Sequence, residues 1–405
     1  GVAGRGPGVA GRGPGVAGRG PTRLRSPLRS GSGLPGARCP VIVVAKIGTS
    51  SVTRAGGDVD EEAVARLCAA VATLRRAGHQ VVVVTSGAVT AGVATLAPPG
   101  GRPSDARTLQ ALAAIGQHRL MRVYDDALSS LGLLAGQVLL APLDFAERRQ
   151  YLHARSTLTR LLELGVVPVV NENDAIADDE IRFGDNDRLA ALVANLLRAG
   201  LLVLLTDTAG LFDADPRLDA AASLVAEVVE VDAALEAAAG GPGSAAASGG
   251  MASKLAAARM ASWSGVRTVI AAASRPGVLE DAVAGRDGVG TVVHPRDRRL
   301  PARKLWIAFA IAASGRLLVD AGARRALVER DASLLAAGVT ACEGAFGADD
   351  AVEIVGPDGE VFAKGLARLP ASSAGEWLGR SRAALPPGLD GEVVHRDDLV
   401  VLAGA

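Results

Sequence analysis

The chain has 405 residues, in which 43 Lys plus Arg balance 43 Asp plus Glu. A net charge of zero excludes the long-range field that draws basic proteins to nucleic acid or to anionic membranes. Apolar residues make up 49% of the chain but aromatics only 3%, which predicts α/β cores packed from Val, Leu and Ala in two or three domains. Three cysteines, Cys39, Cys68 and Cys342, lack ligand spacing, so a reduced, cytoplasmic setting is expected. No apolar run reaches the roughly 20 residues of a membrane helix. Lysine is scarce: Lys46, Lys254, Lys304 and Lys364 stand alone, and every other strong base is arginine. A compact ammonium differs from a guanidinium fork chiefly where a point charge fits between phosphate oxygens, so these lysines carry weight.

Residues 1–21 are three copies of Gly-Val-Ala-Gly-Arg-Gly-Pro, with no apolar face to bury. Residues 1–38 are therefore expected to be a disordered Gly/Arg/Pro-rich extension upstream of the fold. A buried strand at Val41–Ala45 runs into Lys46-Ile47-Gly48-Thr49-Ser50. Gly48 is expected to allow a tight turn whose N–H groups face an anion beside Lys46. An ordinary turn beside a solvated lysine fits the same residues. A helix follows at Glu61–Ala77, closed by Gly78. The next strand, Val81–Val84, ends in Thr85-Ser86-Gly87-Ala88, small enough to admit a ligand to the backbone or simply to cap a helix. A long helical region covers about Asp105 to Leu131, then a strand at Val138–Leu140 and a helix from about Leu152 to Leu164.

The apolar run Gly165–Val170 predicts a parallel strand. After it comes a loop read as Asn171, Glu172, Asn173 and Asp174, and then Asp185, Asn186 and Asp187. Ligands of open α/β sheets bind at the C-terminal ends of strands, and so many acids and amides exceed what a connector needs. Asp187 could equally be a helix N-cap, and Asp178 and Asp179 are expected to be solvated. A helix at Asp187–Arg198 leads to the strand Leu201–Leu205, which ends in Thr206-Asp207. An Ala/Gly/Ser-rich stretch closes with Ser248-Gly249-Gly250-Met251-Ala252-Ser253-Lys254, before a helix to about Ser262 and a strand at Thr268–Ala272. Lys46 and Lys254 are thus both read as lying in glycine-rich loops. Five such loops at one sheet edge suit a triphosphate plus a small zwitterion. The basic stretch Arg296–Arg303 is expected to be a solvated hinge before short strands separated by glycine turns. The domains are expected at 39–295 and 304–405, with 296–303 between them.

These segments resemble the amino acid kinase superfamily, and within it the branch acting on the side-chain carboxylate of L-glutamate. Residues 304–402 are similar to a PUA domain, through Asp320-Ala321-Gly322-Ala323, Ser333-Leu334-Leu335, Gly338-Val339 and Ala363-Lys364-Gly365-Leu366. The resemblance implies a three-layer sandwich around a mainly parallel central sheet, plus a small β-rich PUA-like domain. It implies ATP and Mg²⁺, with the metal held by ATP phosphates and by no assigned protein ligand. Lys46 and Lys254 would flank the transferring phosphoryl group, held by Asp187 with Asp185. Ser86, Gly87, Asp174 and Asn186 would bind L-glutamate. Lys46, Gly48, Thr206, Asp207, Ser248, Gly249, Gly250, Met251, Ala252, Ser253 and Lys254 would bind ATP. It further implies feedback inhibition by proline, a homo-oligomer and handover of the acyl phosphate to glutamyl phosphate reductase. Serine stands at 248 and 253 where the family has threonine, which keeps the hydroxyl. Residues 345–350 match the PUA pattern loosely. The alternatives are a superfamily kinase for aspartate, N-acetylglutamate, carbamate or a nucleoside monophosphate, or an RNA-binding PUA protein. Zero net charge and few aromatics weigh against RNA.

Overall fold

Val43, Val44 and Ala45 are fully buried, so β1 (Ile42–Ile47) has protein on both faces and lies inside a sheet. The computed structural model describes residues 40–402 except 146, 177–185, 215, 217, 218, 220, 232–234, 236–249, 298, 310 and 386–390. The repeats of residues 1–21 lie outside the described residues. Following β1 come α1 (Thr49–Val52), α2 (Glu61–Arg76), β2 (Gln80–Val84), α3 (Ala88–Leu96) and α4 (Ala106–Ser129). Next are β3 (Ala135–Leu140), α5 (Arg148–Glu163), β4 (Val167–Glu172), α6 (Asn186–Leu196) and β5 (Leu201–Thr206). The short β6 (Glu227–Val228), α7 (Met251–Trp263), β7 (Arg267–Ala272), α8 (Val278–Ala284) and β8 (Thr291–Val293) complete this part.

Their order across the sheet is β3-β4-β2-β1-β5-β7-β8-β6. The strands from β3 to β7 run parallel, while β8 lies antiparallel to β7. Because side chains alternate along a strand, each face has its own core. Val44, Val82, Val84, Val170, Leu202 and Leu204 pack with helices α5, α6 and α7. Val43, Ala45, Val81, Val83, Val169 and Val203 pack with α2, α4 and α8. Helix α2 shows how local sequence supports this. Asp60 accepts a bond from the Ala63 N–H at 3.1 Å, Glu61 and Glu62 begin the helix, and Arg75 and Arg76 end it.

Helices α3 and α4 cross with their backbones in contact. A Cβ added to Gly92 would lie 1.9 Å from the Leu112 carbonyl oxygen, and one added to Gly116 only 1.8 Å from that of Ala88. No side chain fits between them, so these two glycines fix where the start of α3 sits.

Past β8 come α9 (Ala302–Phe309), β9 (Gly315–Val319), α10 (Ala321–Arg330), β10 (Leu334–Leu335), β11 (Val339–Gly344), β12 (Ala351–Val355) and β13 (Val361–Leu366). They are followed by α11 (Ala374–Trp377), β14 (Glu392–Val394) and β15 (Leu399–Val401). Five strands form a mixed sheet in the order β11-β9-β12-β13-β15, and β10 pairs with β14. Leu305 and Ile307 of α9 share one buried cluster with Leu189 and Leu255 of the large sheet's helices and with Ala351, Leu366 and Val400 of the small sheet. The stretch from Arg296 keeps Arg299 and Arg303 exposed to solvent, yet each of its described arginines is paired. Arg296 stacks 4.2 Å from the Trp263 ring centre and pairs with Glu230, Arg299 donates to the Gly265 carbonyl at 3.3 Å, and Arg303 pairs with Asp398. Guanidinium groups favour this because their planar faces stack on rings while their edges stay hydrogen-bonded.

Candidate active site

The C-terminal ends of the parallel strands lie along one edge of the large sheet. Lys46 is the fifth residue of β1 and shares the face of Val44, toward α6 and α7. There it meets Asp187, in the first turn of α6, and Lys254, in the first turn of α7. Lys46 Nζ lies 2.6 Å from Asp187 Oδ1, and Lys254 Nζ lies 3.3 Å from Asp187 Oδ2. Ser253 Oγ donates to Asp187 Oδ2 at 2.7 Å. All three charged side chains are at least 95% buried. Burial alone would raise the Asp187 carboxyl, but the two ammonium groups and the bonds from Lys46 and Ser253 hold it below the usual carboxylate range. Two remote ammonium groups are thereby fixed on one carboxylate, a geometry for neutralising a transferring anion.

Three helices begin at this edge with glycine N-caps and no side-chain cap: α1 at Gly48, α3 at Gly87 and α7 at Gly250. Uncapped N–H groups at helix starts suit phosphate or carboxylate oxygens. Gly87 has a φ of 102°, which a residue with a side chain rarely adopts. Gly48 corrects the expected tight turn, for its φ of −79° and ψ of 161° are ordinary extended backbone. A Cβ there would meet only Lys46 Nζ, at an ordinary contact distance of 3.7 Å, so neither backbone nor space demands glycine at this position.

On the other face, Asn171 Nδ2 donates to Gln117 Oε1 at 2.7 Å, while the Glu172 N–H donates to Asn186 Oδ1, at the start of α6, at 3.2 Å. The second bond ties the end of β4 to the residue before Asp187. Asn171 Oδ1 and Asp174 Oδ1 are buried without a hydrogen-bond partner among the described residues. Burial pushes the Asp174 carboxyl up to about 6, while Arg102 pulls it the other way. A buried carboxylate awaiting a donor is a seat for an ammonium group.

The pattern of the amino acid kinase family matches residues 41–272, and that of the PUA domain matches residues 315–382. A glutamate 5-kinase of Frankia casuarinae is 48% identical over 369 residues, covering 90% of this chain and 97% of the relative. Glutamate 5-kinases of Pelobacter propionicus and Burkholderia multivorans are 44% and 45% identical, each covering 89% of this chain and 97% of the relative. The chain belongs to the amino acid kinase family, in its glutamate 5-kinase branch.

Several residues stand elsewhere than the sequence suggested. Lys46 lies on a strand and Lys254 on a helix, because both must be held rigidly against Asp187. Asn171 and Glu172 are the last residues of β4, paired with Leu139 and Leu140 of β3. Asp187 is inside α6, and its carboxylate serves the lysines. Ser86 is buried after β2, and Thr206 closes β5 with Oγ1 donating to the exposed Asp207 at 3.0 Å. Met251 and Ala252 are half-buried at the start of α7. Asp178, Asp179, Asp185, Ser248 and Gly249 lie outside the described residues. Gln117 was missed, although it sits beside Gly116 on the buried stripe of Leu112, Ala113, Leu120 and Tyr124, where a polar residue needs a partner. Arg102 carries no comparable local signal. Among the described residues, no group of three or more His, Cys, Asp or Glu is placed to hold a metal, and no helix is long and apolar enough to cross a membrane.

Proposed function

We propose that this chain transfers the γ-phosphoryl group of ATP to the side-chain carboxylate of L-glutamate, giving γ-glutamyl phosphate and ADP, the first step of proline synthesis. A carboxylate oxygen attacks the γ-phosphorus, the bond to the β-phosphate oxygen breaks, and ADP leaves with the electron pair. The acceptor is ionised at neutral pH, so no general base is needed. The work left to the protein is alignment and charge neutralisation. The observation that carries this reading is the convergence of Lys46 and Lys254 on Asp187.

In this reading Lys46 and Lys254 flank the phosphoryl group, and Asp187, with Asp185, keeps them apart and aligned. The N–H groups beyond Gly48 receive phosphate oxygens. Asp174 takes the α-ammonium, with Ser86, Gly87 and Asn186 around the rest of glutamate. Thr206, Asp207 and residues 248–254 hold ATP. Bound Mg²⁺ would supply further charge neutralisation beside the two lysines, with no protein ligand assigned to it. Residues 39–295 form the catalytic domain and 304–405 the PUA-like domain, joined by 296–303. Cytoplasmic location, inhibition by proline at or near the glutamate site, a homo-oligomer and handover to glutamyl phosphate reductase complete the proposal.

The test is ADP release from a panel of small carboxylic acids, with hydroxylamine present to trap the acyl phosphate. L-Glutamate should give both ADP and the hydroxamate. Preference for N-acetylglutamate, whose blocked nitrogen would leave Asp174 unpaired, would overturn the assignment.

A further inference from the structure

Helix α7 presents Lys254 from its first turn, and a second polar tie further along reaches outside the large sheet. Arg259, roughly 7.5 Å along the axis at 1.5 Å per residue, lies beside two neighbouring aromatic rings. Its guanidinium carbon is 5.7 Å from the Trp263 ring centre and 5.8 Å from that of Phe309. Those rings meet edge to face, with centres 5.4 Å apart and planes at 87°. The Arg259 Nη2 group donates to the Leu402 carbonyl at 3.1 Å. Leu402 directly follows β15, and its N–H donates to the Phe362 carbonyl of β13 at 2.7 Å. One arginine thus joins the lysine-bearing helix to α9 and to the edge strand of the small sheet.

The start of α7 has no comparable hold from its cap. Gly250 offers no side chain, and among the described residues Ser253 is the first of the helix to make a side-chain hydrogen bond, to Asp187 and to the Gly250 carbonyl. The small sheet also approaches α6. Lys364 of β13 is buried, donates to the Ile311 carbonyl, and lies near enough to Arg188 for that charge to act on it. Arg188 directly follows Asp187.

We propose that Arg259 is a positioning residue for phosphoryl transfer, through which the small C-terminal sheet holds α7 in the register that keeps Lys254 at Asp187. The proposal rests on the phosphoryl-transfer reading above. A cation set against a pair of rings on α9 and α7 and bonded to a backbone carbonyl beyond β15 resists sliding of the helix. Reaction geometry is steep enough for such a restraint to matter, since misplacing a group by about 1 Å costs on the order of a hundredfold in rate.

The experiment compares Arg259→Met and Arg259→Lys with wild type in the full chain, by steady-state kinetics and by hydrogen exchange. Arg259→Met should lower kcat at least tenfold while KM for glutamate stays within threefold, with unchanged circular dichroism at the assay temperature. Arg259→Lys, which keeps the cation and a donor, should recover most of the loss. Amide exchange across residues 251–258 should quicken at least tenfold in Arg259→Met, while α4 exchanges as before. A kcat within twofold of wild type, a loss that merely tracks the unfolded fraction, or unchanged exchange at residues 251–258 would overturn the proposal. Wild-type inactivity toward glutamate would count against the assigned reaction alone, and the exchange result would still judge the positioning role.

Discussion

Replacing Asp174 by Asn separates what its carboxylate does for stability from what it does for a ligand. Burial raises the Asp174 carboxyl from 3.8 to about 6. A shift of about 2 units corresponds to roughly 3 kcal/mol at most, using about 1.4 kcal/mol per unit. Because the folded pKa is the higher one, the native state binds more protons than the unfolded chain between pH 3.8 and about 6. The contribution of Asp174 to stability is therefore fully present below 3.8 and lost as pH rises through about 6. At pH 7.5 the ionised, unpartnered carboxylate weakens the fold, and Asp174→Asn should strengthen it by up to about 3 kcal/mol. In urea unfolding followed by tryptophan fluorescence, that gain should shrink below pH 6 and vanish near pH 4. The same variant should raise KM for glutamate at least tenfold at pH 7.5, since a charged hydrogen bond contributes roughly 1.5–3 kcal/mol. A variant less stable at pH 7.5, a gain equal at both pH values, or an unchanged KM would refute the reasoning.

Lys254→Arg keeps the charge but not its compact shape, and should lose most turnover while circular dichroism shows a normal fold. Gly116→Ala would drive a Cβ into the Ala88 carbonyl, 1.8 Å away. It should lower stability by about 1–3 kcal/mol or more and raise KM for glutamate through the displaced α3, as thermal melts and kinetics would show. Lys364, whose ammonium is pushed down from 10.5 to about 8 first by burial and then by Arg188, gives the opposite pH signature to Asp174. Between pH 8 and 10.5 the unfolded chain binds more protons, so stability rises with pH across that window. Lys364→Met should then be more stable at pH 7 by roughly 2 kcal/mol, after about 1 kcal/mol is lost with the bond to Ile311. That advantage should fade by pH 10.5 in denaturation curves.

The runs around Val44, Val82, Val169 and Val203 are apolar on both faces, and this made the central strands and their order of appearance legible. The same continuity hid the alternation that aims Lys46 at α6. Periodicity cannot locate the end of a strand whose final residues are polar, as with Asn171 and Glu172 of β4. Helix α3 was not bounded from sequence. Gly92 and the β-branched Val89, Thr90, Val93 and Thr95 are weak helix formers, and Gly92 is required by the crossing with α4, which is a tertiary constraint. The arginines after Gly290 are solvent-facing as their composition suggests, but their pairing is hidden from sequence because the partners, Trp263, Glu230 and Asp398, are remote in the chain. Residue type alone marked Lys46, Lys254, Asp174 and Asp187, whereas Gln117 and Arg102 became visible through contact.

Strand β1 pairs on one side with β2, synthesised soon after it, and on the other with β5, synthesised far later. A polypeptide emerging from the ribosome therefore leaves this central strand half-covered for much of its translation. During that interval Lys46 has neither Asp187 nor the later helix of Lys254 beside it, and its ammonium stays in water. Closing the sheet and desolvating the charge become a single late event, so a truncated product lacking α6 would expose a sticky hydrophobic flank rather than form a smaller working enzyme.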